Sequence, residues 1–216
     1  MHYFLEKNEG TVKEKEGNIR QKNKALIFAS AKEEFVTYGY NGASMKRIAE
    51  RAKLPRANIH YYFKNKEDLY KQLLREILSV WNSRFDNLNT NESARDALTA
   101  YIRDKVLYSK SDPMASRIFA SEIIHGAPHI KDYLCNEMKE WIENKTKVIQ
   151  FWISTKQMNP VNPYHLLFLI WSSTQHYADF SIQVEFALGK DKLTDDDYED
   201  VVSSLTEIIL TGCGVK

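Results

Sequence analysis

Residues 44–66 read SMKRIAERAKLPRANIHYYFKNK. Met45, Ile48 and Ala49 fall on one face of a short helix, with Ala52 and Leu54 at the turn that ends it. Ile59, Tyr62 and Phe63 share a face of a second helix that starts near Pro55, a residue tolerated at a first helical position. Lys46, Arg47, Arg51, Lys53, Arg56, Lys64 and Lys66 are basic and only Glu50 is acidic. A basic run is ordinarily just a solvated surface. Here it coincides with a turn between two short helices, and the second exposes Arg56, Asn58, His60 and Tyr61. A compact positive helix pair of this kind suits the DNA major groove.

The charge of the whole chain hides this polarity, since 30 basic residues nearly balance 29 acidic ones. Residues 1–81 carry 16 Lys and Arg against 10 Asp and Glu, whereas residues 82–216 carry 14 against 19. A basic N-terminal third on an acidic remainder fits a nucleic-acid module joined to something else. Cys135 and Cys213 match no metal-ligand spacing and read as ordinary thiols. The polar, charged start does not resemble a signal peptide, and the apolar run 166–171 is too short to span a bilayer, so a cytoplasmic, soluble protein is expected.

Prolines and glycines punctuate segments of helical period, with no alternation of period two. The expectation is an all-α chain: an arm over 1–18, a helix-turn-helix domain over 19–65, and a helix bundle suited to dimerisation over 66–216, to which the resemblance described below adds ligand binding. The first helix is expected from Ile19 to Tyr38, with Ala25, Phe28, Ala29, Ala31 and Phe35 inward and Gly39 as its stop. Ser44 is placed as the N-cap of the second helix and Asn65 as the cap of the fourth. The fourth carries an apolar stripe of Leu69, Tyr70, Leu73, Leu74, Ile77, Leu78 and Trp81. Further helices are expected at about 92–110, 113–125, 128–156, 161–188 and 195–212. The last two are amphipathic and suited to pairing with a second copy.

The order Phe35-x3-Gly39-Tyr40, Ser44, Ile48-Ala49-x2-Ala52, then Ile59-x-Tyr61-Tyr62-Phe63-x2-Lys66-x2-Leu69 resembles the TetR family of bacterial transcriptional regulators. Met114-ASRIF, Gly126-Ala127-Pro128, Trp171-SSTQHYADF-Ser181 and Ile208-Ile209 resemble its pyrimidine-utilisation (Rut) repressor branch. The family resemblance implies that the second short helix enters the major groove with Arg56, Ala57 and Asn58 at base edges and Tyr61 on phosphates. It places Ser44 and Lys66 on the backbone, with Lys46 and His60 beside the same surface. Independently, helix N-termini present N–H groups to phosphates, and Arg and Asn suit guanine and adenine edges.

The branch resemblance further implies a small cavity in the second half that takes uracil, thymine or a similar compound. Trp171 suits stacking on a planar ring, and Gln175, one turn later, offers an amide that matches an imide edge. Trp81, His125 and Tyr177 complete the expected lining. A Trp on a buried helix is otherwise more often core, and a buried Gln often only satisfies the backbone.

Glu122-x-x-His125 with His129 has tempting metal spacing, but Gly126 and Pro128 interrupt the face and no second ligand set occurs. No metal and no cofactor are expected, and enzyme motifs are lacking. The expected function is a homodimeric, ligand-responsive repressor that binds a near-palindromic operator. The alternatives are a same-fold regulator of an unrelated molecule and a helical carrier or enzyme.

Overall fold

The computed structural model describes the backbone of residues 6–85 and 88–215, and side chains of residues 19–81 and 88–215. Every regular element among them is helical, and the chain divides into two compact units, Met1–Leu74 and Arg75–Lys216.

In the first unit α1 spans Glu6–Gly42, so the helix begins well before Ile19; the side chains of residues 1–18 lie outside the described residues. Gly39, at φ 64, departs from helical geometry in a region glycine enters without a Cβ penalty. One more turn follows it before α2. The buried face of α1 is Ile27, Phe28, Ala31, Glu34 and Phe35, at three- and four-residue spacing, whereas Ala25 and Ala29 are exposed. An alanine is small enough to fit either face, and Ile27 and Phe28, with far more apolar surface to bury, set the orientation.

α2 spans Met45–Ala52 and α3 spans Arg56–Tyr62. Lys53 makes the turn between them in the left-handed region, at φ 55, and Pro55 is the N-cap of α3 rather than its first residue. Ile48, Ala49, Ala52, Ile59 and Phe63 bury the facing sides of this pair. α4 (Lys66–Phe85) begins at an Asn65 side chain that accepts the Asp68 N–H at 2.9 Å. Its whole expected stripe, Leu69 to Trp81, is buried. The boundary between the units falls inside α4, later than residue 65, and the ring of Tyr70 packs at 4.7 Å from Phe35 and 5.0 Å from Tyr40.

The second unit holds α5 (Ala94–Ser111), α6 (Pro113–Ile124), α7 (Lys131–Tyr133), α8 (Lys139–Ser154), α9 (Pro163–Asp179), α10 (Ser181–Leu188) and α11 (Asp195–Gly212). Ser93, Asp112, Asn162 and Thr194 cap α5, α6, α9 and α11 through side-chain acceptors, and Pro113 and Pro163 occupy first-turn positions. Thr194 and Asp197 form a reciprocal capping box at the acidic start of α11.

Two expected helices are interrupted. The stretch 128–156 contains a π turn at Leu134–Met138 between α7 and α8. The stretch 161–188 breaks at Phe180, where Arg117 donates Nε to the Ala178 carbonyl at 2.9 Å and Nη2 to Ser181 Oγ at 2.8 Å. Those bonds satisfy a terminal carbonyl that a continuous helix would have paired internally. Cys135 is exposed and Cys213 buried. No helix among the described residues is long and apolar enough to cross a membrane.

Candidate functional site

The α2–α3 pair is held by one carboxylate. Glu34 of α1 is fully buried and accepts the Ser44 N–H at 2.9 Å and Arg47 Nε at 2.7 Å. Arg51 pairs with Glu33 at 2.6 Å, close to the same point. The hydrogen bond to Glu34 raises the Arg47 pKa above its ordinary value. Because Ser44 spends its own N–H on Glu34 and its hydroxyl makes no cap bond, the next N–H groups of α2 form an open helix terminus.

α3 rests on buried Ile59 and turns Arg56, Ala57, His60 and Tyr61 outward, with Asn58 half-buried; Tyr61 is 74% exposed. The side chains of Arg56, Asn58 and His60 hydrogen-bond to no other described residue, so their donors and acceptors are available to an outside partner. Lys46 is exposed and only loosely paired with Glu50, at 3.8 Å. Lys66 is more committed: Nζ donates to the Asn41 and Ala43 carbonyls at 3.1 and 3.2 Å and lies 4.8 Å from the Tyr40 ring centroid. It ties the start of α4 to the turn before α2.

The second unit contains a cavity of about 50 Å³ with aromatic walls. Trp81, Trp171 and Gln175 all line it. Trp171 donates its indole N–H to Tyr101 Oη at 2.6 Å and packs at 6.2 Å from Trp141 and 5.7 Å from Phe168. Trp81 meets Phe119 edge-on at 4.8 Å and Tyr108 at 5.9 Å. Burial pushes the Tyr101 phenol up, and the bond from Trp171 only partly offsets it.

His125 and Tyr177 do not join this lining. His125 is the exposed C-cap of α6, its Nδ1 2.7 Å from the Ser121 carbonyl. Tyr177 lines a separate surface groove with Gln183 and Leu188, because it points more than half a helical turn away from Gln175. Glu122 accepts the His129 N–H at 2.6 Å and lies 3.1 Å from His129 Nδ1, closing the loop after α6. No cluster of three His, Cys, Asp or Glu suited to a metal occurs among the described residues.

The structure adds Tyr101, Lys105, Tyr133, Met138 and Trp141 to the cavity wall. A signal for Lys105 exists in the sequence: it is a lone charge on the α5 stripe that also carries Tyr101, Ile102 and Val106. Tyr133 and Met138 had none. Residues five apart share a face on a π turn but diverge on an α-helix.

Residues 27–73 match the model for bacterial regulatory proteins of the tetR family, and residues 74–216 match that for the C-terminal region of YcdC-like proteins. The chain is 36% identical over 194 residues to the HTH-type transcriptional regulator RutR of Escherichia coli K12, covering 90% of this chain and 91% of that protein. It is 22% identical to the Bacillus subtilis regulator YhgD over 65% of this chain and 74% of that one. A Rhodococcus RHA1 regulator of the tetR family superposes with TM-score 0.73 at 17% identity, over 90% of this chain and 98% of that one. AibR in complex with isovaleryl coenzyme A and operator DNA gives 0.68 at 14%, over 86% and 97%. Matches to both family models across residues 27–216, with 36% identity to a transcriptional regulator over nine-tenths of each chain, show a ligand-responsive transcriptional regulator: the chain belongs to the TetR family.

Proposed function

We propose that this regulator binds a near-palindromic operator as a homodimer and releases it when a pyrimidine such as uracil or thymine enters the cavity. The observation that carries the ligand reading is convergence. Trp81, Trp171 and Gln175, expected from the resemblance to the pyrimidine-utilisation branch, lie on α4 and α9 and wall one space. Trp171 and Trp81 supply flat faces, and the Gln175 amide supplies one donor and one acceptor to an imide edge.

The cavity volume bears on how a signal arises. About 50 Å³ is roughly a third of the ~150 Å³ that admits benzene in an engineered core. A pyrimidine ring therefore has to push the walls apart, so it favours a widened state over the present one. Such differential affinity is what an effector needs to shift an equilibrium. α4 carries both Trp81 of the wall and Leu69 and Leu73 of the DNA-binding unit's core. It is the direct covalent route between the two functions.

Arg56, Ala57 and Asn58 read the operator's base edges, with Tyr61, Lys46, Ser44 and Lys66 beside the phosphates and His60 on the same surface. Phe168, Leu169, Ile182, Phe186 and Ile208, all strongly exposed on α9, α10 and α11, form the surface that a second copy covers. Half-sites are then expected about 34–36 Å apart, or at a multiple of that spacing.

The test is a tryptophan-fluorescence titration with uracil and thymine, paired with operator binding and Trp171→Phe as control. Saturable quenching that releases DNA and weakens in the variant supports the reading. Operator release by a fatty acyl compound, with no response to either base, would replace it with a sensor of an unrelated molecule.

A further inference from the structure

We propose that Asn23 of α1 is a positioning residue for operator binding: it occupies the accepting side of the Tyr62 hydroxyl, so that the phenol presents its hydrogen to a DNA phosphate. This inference rests on the operator reading of α3 and adds to it a contact whose geometry is set from outside the helix-turn-helix.

Tyr62 closes α3, and Asn23 lies 39 residues earlier in the chain. The Tyr62 ring has little freedom. It meets Tyr61 edge-on at 5.2 Å and lies 6.4 Å from Phe63, which is itself buried against Phe28 at 5.5 Å. What these rings leave open is the direction of the O–H bond. Asn23 Nδ2 donates to Tyr62 Oη at 3.3 Å, and no described residue accepts the hydroxyl hydrogen. A phenol has one hydrogen to give and lone pairs to receive with. With the amide on the accepting side, the hydrogen is turned away from α1. Accepting that bond also polarises the O–H and makes it a better donor.

Asn23 and Tyr62 are both half-buried, so the pair stands at the edge of the unit, within reach of an outside acceptor. The acceptor that fits is anionic. Residues 19–32 of α1 include Arg20, Lys22, Lys24 and Lys32 with no Asp or Glu. Arg20 and Lys22 are exposed, and Tyr61, the neighbour of Tyr62, is 74% exposed. A phosphate is drawn to such a surface, and its oxygens accept hydrogen bonds whatever the base sequence. Asn23 and Tyr62 are neutral, which separates their contribution from that of a lysine. They add affinity without displacing a counterion, so their loss leaves the salt dependence as it was. Glu34 thus fixes the start of α2 from one part of α1, and Asn23 aims the end of α3 from another.

The experiment is a double-mutant cycle in the full-length protein with Asn23→Ala, Tyr62→Phe and the two combined. Affinity for a short DNA duplex of mixed sequence is read over a range of salt, beside the melting temperature of each protein. Tyr62→Phe should weaken binding by roughly tenfold at every salt concentration, with the slope of log affinity against log salt unchanged. Asn23→Ala should weaken it by about threefold or more, and should cost nothing further once Tyr62→Phe is present. Asn23→Asp keeps the shape but can only accept, so it draws the phenol hydrogen inward. It should weaken binding more in the wild-type background than in the Tyr62→Phe background, where only its charge acts. Melting temperatures should stay near that of wild type, which separates aiming from mere support. Tyr62→Phe that binds like wild type, additive losses in the cycle, or an Asn23→Ala loss matched by a fall in melting temperature overturns the positioning role alone. Failure of wild type to bind the duplex at low salt overturns the operator reading and this inference with it.

Discussion

Glu34 in the first unit and Lys105 in the second are both buried charges, and the two are treated in opposite ways. Glu34 takes the Ser44 N–H and Arg47 on Oε1, while Oε2 makes no hydrogen bond and lies 3.9 Å from Arg51. Its charge is used up in holding α2 against α1. Lys105 sits among rings, opposed by burial and helped by Asp179, with its pKa brought down to about 7. A buried charge paired with cations is a brace, because removing one partner leaves the other uncompensated. A buried charge pushed toward its neutral form is poised, because it titrates near neutral pH.

Breaking the brace is the harshest test of that contrast. Glu34→Ala should lower the melting temperature by roughly 5–10 °C and abolish operator binding, because α2 loses its anchor to α1. Calorimetry alongside operator binding checks it, and a protein that melts normally and binds its operator would show Glu34 to be dispensable. The poised charge should behave in reverse, with removal stabilising the fold. Lys105 titrates near 7 when folded and at 10.5 in the unfolded chain, so between those values the unfolded state holds the extra proton. Wild-type stability should therefore gain with rising pH over that window. Lys105→Met should exceed wild type most at pH 7, with the gap closing toward pH 10, as urea unfolding at several pH values would reveal. An equal gap at pH 7 and 9.5 would contradict the buried-lysine account.

Next in size, Arg56→Ala should weaken operator binding by about 1–3 kcal/mol and relax sequence preference while leaving stability unchanged. Loss of affinity equal on all sequences would make Arg56 a phosphate contact instead. Smallest of all, Thr194→Ala removes the α11 capping box, outside both regions. It should cost about 1 kcal/mol in urea unfolding without altering DNA or ligand binding.

The same contrast explains what could be read from the sequence. The DNA-binding unit is local: α2, its turn and α3 lie within residues 45–62, so periodicity, Pro55 and the basic residues display the site in one stretch. The all-helical class, the cap at Asn65 and the stripe of α4 were legible for the same reason. The face of α1 was misread at Ala25 and Ala29, because alanine's small surface does not commit it to either side. The cavity draws on residues from Leu78 to Gln175, and spacing along one helix cannot show which of them meet. Trp81, Trp171 and Gln175 were reached through resemblance. Tyr101 and Trp141 look like core in the sequence, and Lys105 like a chance interruption of a stripe. The break at Phe180 was invisible because the bonds that permit it come from Arg117, far away in the chain.

The π turn at Leu134–Met138 has a consequence for how this pocket diversifies. It holds one residue more than an α turn over the same rise, so the wall contains a spare residue. Deleting it would rewind the segment to α geometry and swing each preceding side chain by about 100°, carrying Tyr133 off the cavity while Trp141 stays in register with α8. A single-codon deletion thus exchanges half of one wall and leaves the bundle's other helices untouched. Relatives with the same scaffold could change what they sense by gaining or losing one residue, without rebuilding a core.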